Sequence, residues 1–203
     1  GTPPQGRADY AFWQHIIRSM KPKTGRCAIL FPHGVLFRNE ELSMREKLIA
    51  HDVVECVLGL GPNLFYNSPM EACVVVCRMN KPKVRRYRIL FINAVNEVTR
   101  ERAQSFLADD HIERIVDAYK KFTDIPGFAR VADIDEVREK GNSLSIPLYV
   151  RQENGNGTAS WGSAIQEETS LREVIDKWQK SSVALRSSMD QLFTALNEMK
   201  KNN

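Results

Sequence analysis

Three groups of residues could do chemistry. The densest is a run of cations with no acidic residue between them: Arg78, Lys81, Lys83, Arg85, Arg86 and Arg88. It separates two apolar runs, so a turn between strands would carry it. Such a cluster is either a solvated hairpin tip or a patch that touches nucleic-acid phosphates. The second group is aromatic. Phe65 and Tyr66 stand among Gly61, Pro62, Asn63, Asn67, Ser68 and Pro69, a turn-forming stretch that offers a large ring little core to fill. The third is the cysteines, Cys27, Cys56, Cys73 and Cys77. Each lies inside an apolar run, and their spacing matches no zinc site, so they read as buried structural thiols. Gly59-Leu60-Gly61 is a lone Gly-x-Gly ahead of a turn, the wrong context for a phosphate loop. His15 and His51 read as surface residues, and among the carboxylates Asp9 draws interest at the start of a helix.

The elements that would position these residues follow from periodicity. Residues 8–20 form an amphipathic helix ended by Lys21-Pro22-Lys23-Thr24-Gly25. Arg26 to Phe31 is a nearly continuous apolar run closed by Pro32, the pattern of a buried parallel strand. Residues 39–51 form a second amphipathic helix. Strands follow at 53–60, 72–77 and 87–92. The connection from Leu60 to Ala72 cannot hold a crossover helix, which makes the strands it joins antiparallel neighbours. Residues 99–108 and 110–121 read as helices, with Asp109 as a cap for the second. The stretch 124–150 is mixed, and 152–158 has the composition of a flexible linker.

The last segment is the most periodic. Leu171, Ile175, Trp178, Ser182, Leu185, Met189, Leu192, Leu196 and Met199 recur at alternating steps of four and three, a heptad seam broken once by Ser182. A helix of this length, near 45 Å at ~1.5 Å per residue, cannot bury the stripe by folding on itself. It docks either on its own domain or on another subunit.

The bulk properties exclude some classes. The chain has 203 residues, 42% hydrophobic, with a net charge of +4. No apolar run reaches the ~18 residues of a membrane span. Gly1 to Arg7 has no signal-peptide pattern and the chain does not begin with Met, so it reads as a piece of a longer protein.

The pieces Asp9-Tyr-Ala-Phe-Trp-Gln-His15, Lys21-Pro-Lys-Thr-Gly25, Cys27-Ala-Ile-Leu-Phe-Pro-His-Gly-Val-Leu-Phe37, Met44-Arg-Glu-Lys-Leu48 and Asn63-Leu-Phe-Tyr-Asn-Ser-Pro-Met-Glu-Ala-Cys-Val-Val-Val76 occur in that order. Together they resemble the second half of N6-adenine DNA methyltransferases, and most closely the modification subunits of type I restriction-modification systems. Leu144-Ser-Ile-Pro-Leu-Tyr-Val150 resembles a segment those subunits carry after the catalytic domain. The resemblance covers residues 7–150, and more loosely the tail.

The resemblance implies an α/β fold: the C-terminal half of a Rossmann-like methyltransferase sheet with an antiparallel edge hairpin, followed by a helical extension and a long C-terminal helix. It implies residues 1–95 as the catalytic-domain part, 96–150 as a mostly helical extension, 151–164 as a linker and 165–203 as a heptad arm. The parent reaction is methyl transfer from S-adenosylmethionine to adenine N6, on a base turned out of the duplex. The family's aromatic-x-Gly-x-Gly loop and its Asn-Pro-Pro-aromatic motif are absent from these residues; Thr2-Pro3-Pro4-Gln5 offers neither the Asn nor the aromatic. No catalytic residue is therefore expected here. Phe12 falls where the family packs an aromatic on the adenine of the methyl donor, with Asp9 beside it. Phe65 falls where the family stacks the flipped base, with Tyr66 as the fallback. His33 replaces a residue that is usually acidic. Lys81, Lys83, Arg85, Arg86 and Arg88 would touch the DNA backbone. Leu171, Ile175, Trp178, Leu185, Met189, Leu192 and Leu196 would face a specificity subunit. A second modification subunit, a restriction subunit and a prokaryotic cytoplasm complete the implied setting. The competing readings are a non-catalytic assembly module and an unrelated nucleotide-using α/β enzyme.

Overall fold

A computed structural model describes residues 2–66, 68–101 and 104–151. The heptad arm lies outside the described residues. So does the expected linker, apart from Arg151. Helix α1 (Asp9–Ser19) leads to strand β1 (Arg26–Pro32). A tight turn at His33–Leu36 and another at Asn39–Glu41 precede helix α2 (Leu42–Ala50). Strands β2 (Val54–Leu60), β3 (Ala72–Arg78) and β4 (Arg88–Ala94) follow. A small ribbon, β5 (Thr99–Glu101) and β6 (Gln104–Phe106), precedes helix α3 (Asp109–Lys121). Strand β7 (Ala129–Asp133) runs into helix α4 (Ile134–Glu139).

The result is a mixed α/β fold on a mostly antiparallel sheet, ordered β1-β3-β2-β4-β7. β3 lies antiparallel between β1 and β2, as the short 60–72 connection predicted. β4 pairs parallel to β2, and β7 antiparallel to β4. The β2–β3 pair is thus internal to the sheet, not an edge hairpin.

Cys27, Ile29 and Phe31 of β1, Cys73, Val75 and Cys77 of β3, Val57 of β2 and Phe91 of β4 share one core with Tyr10 and Trp13 of α1 and with Met44 and Leu48 of α2. Leu144, Ile146, Tyr149 and Val150 close the same core, with the Tyr149 ring stacked 3.8 Å from Phe91. Residues 129–150 are therefore built into the sheet and core that residues 10–91 form. The opposite face packs Cys56, Leu90 and Ile92 under Ala118 of α3.

Three further expectations are corrected. β1 is not a buried parallel strand: among the described residues its only partner is β3, and Ala28 and Leu30 face outward, Leu30 at 48% exposure. Its apolar run is continuous because both faces are apolar, yet α1 covers only one of them. Thr99–Glu101 and Gln104–Phe106 pair as a ribbon rather than forming a helix; their mostly polar side chains carry little helical stripe. The cap of α3 is Ala108, whose N–H donates to His111 Nδ1 at 3.3 Å, and Asp109 is the first helical residue.

Candidate substrate and cofactor wall

β1 and β2 run in the same direction, since each is antiparallel to β3, and β4 runs with them. Their carboxyl ends, Pro32, Leu60 and Ala94, therefore share one edge of the sheet. Open α/β sheets build clefts at that edge. Three segments gather there: the turn after β1, the loop after β2, and the segment after β4.

The turn after β1 is clamped by its carbonyls. Tyr10 Oη donates to Val35 O at 2.8 Å. Arg45, 1% exposed, donates from Nε to Asn142 O at 2.7 Å and from Nη1 to Arg38 O at 3.0 Å. Leu144 N donates to Leu36 O at 2.8 Å. A buried guanidinium satisfied by carbonyls holds a turn in one place, because every lost contact strands a charge or a dipole. Burial drives the Tyr10 hydroxyl far above its ordinary pKa, so it stays a donor. Arg38 then ties the turn to α1, reaching Asp9 Oδ2 at 2.8 Å and Glu41 Oε2 at 2.9 Å. His33 Nε2 lies 2.9 Å from Ala72 O, in the floor where β1 meets β3.

This network holds the start of α1, the helix that carries Phe12, at the carboxyl edge. Tyr10 and Trp13 on the same helix are fully buried, while the Phe12 ring is 64% exposed and so is not the ordinary core residue that its helix position would suggest. Asp9 lies beside it, with Oδ2 committed to Arg38. In the loop after β2, Ser68 N donates to Phe65 O at 3.1 Å, closing a tight turn. Phe65 is half-buried there, and Tyr66 is 86% exposed at the tip. Phe12, Asp9, Phe65 and Tyr66 thus belong to segments at one edge.

The cationic run does not join them. It connects the end of β3 to the start of β4 at the opposite end of the sheet, passing β2 rather than turning between neighbouring strands. Two of its members are engaged inside the fold. The Lys81 ammonium is buried, donating to Asp52 Oδ1 at 2.6 Å and to Arg88 O at 2.8 Å; burial lowers its pKa, opposed by Asp52. Arg85 sits over the Phe122 ring at 4.6 Å and pairs with Glu55, a carboxylate with no exposure. Arg86 bonds Asn80 Oδ1 and Arg88 pairs with Asp133, both with exposed side chains. Lys83 is exposed and has no ion pair among the described residues. No group of three His, Cys, Asp or Glu that could hold a metal occurs among the described residues. No helix among them is long and apolar enough to cross a membrane.

Sequence reasoning missed Tyr10, Arg38, Glu41 and Arg45, the clamp behind the wall. A signal existed: Arg45 falls on the face of α2 that also carries Met44 and Leu48, Glu41 stands just before that helix four positions earlier, and charges in line with an apolar stripe need partners.

The model of the N-6 DNA methylase family matches residues 1–157. The chain belongs to the N-6 DNA methylase family. It is 34% identical over 184 residues to the type I restriction enzyme MjaVIII methylase subunit of Methanocaldococcus jannaschii, covering 88% of this chain and 31% of that protein. It is 36% identical over 154 residues to the MjaVII methylase subunit of the same organism, covering 74% of this chain and 26% of that protein. The chain thus spans less than a third of these curated relatives. Among solved structures it resembles the type I restriction-modification methyltransferase subunit of Streptococcus thermophilus, at 36% identity and a TM-score of 0.69 over 72% of this chain and 31% of that one. The EcoKI M protein matches at a TM-score of 0.60 over 76% of this chain and 40% of that one, and at 16% identity it speaks for the fold alone.

Proposed function

We propose that this chain is part of a type I modification subunit that transfers a methyl group from S-adenosylmethionine to adenine N6 in DNA, and that it supplies one wall of the site. The observation that carries the reading is the gathering of exposed Phe12, the clamped 33–38 turn and the Phe65 turn at the carboxyl edge of β1, β2 and β4, in a chain of this family. S-adenosylmethionine supplies the methyl group. The residues present fit its adenine: Phe12 offers an exposed ring on a helix locked by Tyr10 and Arg38, and such a contact is worth roughly 0.5–1.5 kcal/mol. Phe65 stacks the flipped base, worth ~1–3 kcal/mol, with Tyr66 beside it.

These residues alone do not transfer methyl groups, because neither the aromatic-x-Gly-x-Gly loop nor the Asn-Pro-Pro-aromatic motif is among them. The rest of a Rossmann-like sheet continues from the edge of β1 that is unpaired among the described residues, and a layer packed on that face covers Ala28 and Leu30. DNA contact at the other end of the sheet is confined to Lys83, Arg86 and Arg88. The 165–203 arm docks on a specificity subunit, in a complex with a second modification subunit and a restriction subunit.

The test is Phe65→Ala in the intact subunit. Methylation and the fluorescence of a 2-aminopurine placed at the target should both fall about tenfold, the equivalent of ~1.4 kcal/mol of stacking. Unchanged values for both would remove the base-stacking role.

A further inference from the structure

The Phe65 turn hangs from the end of β2, and little of its own chain holds it. Its placement comes from residues more than thirty positions later. Gly61 is pressed against the segment after β4: a Cβ there would sit 2.4 Å from Val95 O and 2.8 Å from Val98 Cγ1. Asn63 adopts a left-handed backbone, φ 59°, that turns its carbonyl outward from the strand line. That carbonyl accepts a hydrogen bond from Ser105 N at 2.9 Å.

The geometry of the ribbon explains why Ser105 is available. β5 and β6 pair Thr99 with Phe106, Arg100 with Ser105 and Glu101 with Gln104. In an antiparallel ladder such pairs alternate between hydrogen-bonded and non-hydrogen-bonded. Ser105 belongs to a non-bonded pair, so its N–H points away from β5 and toward Asn63. The side chain gives no alternative reason for the residue's burial. Ser105 is 7% exposed, yet its hydroxyl has no hydrogen-bond partner among the described residues. The residue is buried because its backbone is docked.

We propose that the β5–β6 ribbon is a positioning element for the aromatic wall, and that the Ser105 main-chain N–H holds the Phe65 turn in place. This rests on the reading of Phe65 as the base-stacking residue. The ribbon touches neither base nor methyl donor; it acts through the turn.

Two substitutions separate the backbone from the side chain. Ser105→Ala removes only the unpartnered hydroxyl. Ser105→Pro removes the N–H, at an edge position where proline is tolerated because no ladder bond is lost. In the 203-residue chain, chymotryptic cleavage after Tyr66, followed by mass spectrometry, reports opening of the turn. Ser105→Pro should speed that cut about fivefold, the change that loss of one hydrogen bond of about 1 kcal/mol makes in an opening equilibrium, at an unchanged circular dichroism spectrum. Ser105→Ala should match the parent chain. Gly61→Ala, which forces the turn off Val95, should also speed the cut and serves if the proline variant does not fold. An unchanged cleavage rate in Ser105→Pro or, if that variant does not fold, in Gly61→Ala overturns the inference. In the intact subunit, the same variant should lower kcat and 2-aminopurine fluorescence while KM for S-adenosylmethionine stays constant. If Phe65→Ala lowers the fluorescence and Ser105→Pro does not, the positioning role fails and the stacking role stands. If Phe65→Ala is itself silent, the stacking role fails and takes this inference with it.

Discussion

Arg85→Ala separates a structural cation from a DNA-binding one. The Arg85 side chain is only 14% exposed. Its Nη1 lies 3.5 Å from Glu55 Oε1, and its Nη2 donates to Tyr119 O at 3.2 Å and to Lys120 O at 3.0 Å, capping the end of α3. The guanidinium also stands over Phe122 and Tyr119, 4.6 Å and 5.2 Å from the ring centres. Breaking a buried ion pair by removing one partner costs about 3–5 kcal/mol. Here Glu55 keeps the Tyr119 hydroxyl at 2.6 Å and Arg78 at 3.6 Å, which places that loss below the range, at roughly 1 kcal/mol. The two carbonyl bonds add about 0.5–1.5 kcal/mol each, reduced because water can reach the Lys120 carbonyl, and the ring contacts add about 0.5–1 kcal/mol. The expected total is about 3 kcal/mol, or roughly 6–12 °C in Tm. Lys83→Ala, two residues away and exposed, should stay within about 0.5 kcal/mol of the parent chain. Urea unfolding followed by circular dichroism measures both. If Arg85→Ala unfolds at the same urea concentration as Lys83→Ala, the buried cluster does not carry the connection between β3 and β4, and the sorting of cations made from it is wrong.

Two further outcomes follow from other parts of the molecule. Cys27 stands directly across from Cys77 in the β1–β3 ladder, and a hydrogen bond from Cys77 lowers its thiol to about 7 against the opposing effect of burial, whereas burial alone pushes Cys73 up to about 12. A lowered thiol is ionised at lower pH, so iodoacetamide should label Cys27 with a midpoint near pH 7, and Cys77→Ala should move that midpoint up toward the usual ~8.5; a midpoint unmoved by that substitution would rule out Cys77 as the cause. For the heptad arm, deleting residues 165–203 from the intact subunit should abolish pull-down of the specificity subunit, and undiminished co-purification would show that the arm is not the docking element.

Most elements were legible from periodicity. The helix at 8–20, the second helix within 39–51, and the strands near 54–60, 72–78 and 88–94 lie where apolar spacing put them, because each buries a continuous stripe or face. The ribbon at 99–106 was not legible: three-residue strands carry too few alternations to outweigh a helix-compatible composition. The residues proposed for the aromatic wall came only from the order of motif pieces; the structure adds that Phe12 is exposed on a helix whose neighbours Tyr10 and Trp13 are buried. The cationic run was the opposite case, conspicuous in the sequence, with Lys81 and Arg85 held inside the fold and Lys83, Arg86 and Arg88 left exposed.

The sequence by itself determined the family, through motif pieces in a fixed order, and the local elements, through spacing. Only the tertiary structure decided which charges are free and which hold the molecule together. Arg45 bonds a carbonyl 97 positions away at Asn142, Glu55 meets Tyr119 across 64, and Ser105 reaches back to Asn63. The balance between solvating a charge and burying it with a partner depends on those distant groups, and nothing in the local spacing of Lys81, Arg85 or Arg45 records where the partner stands.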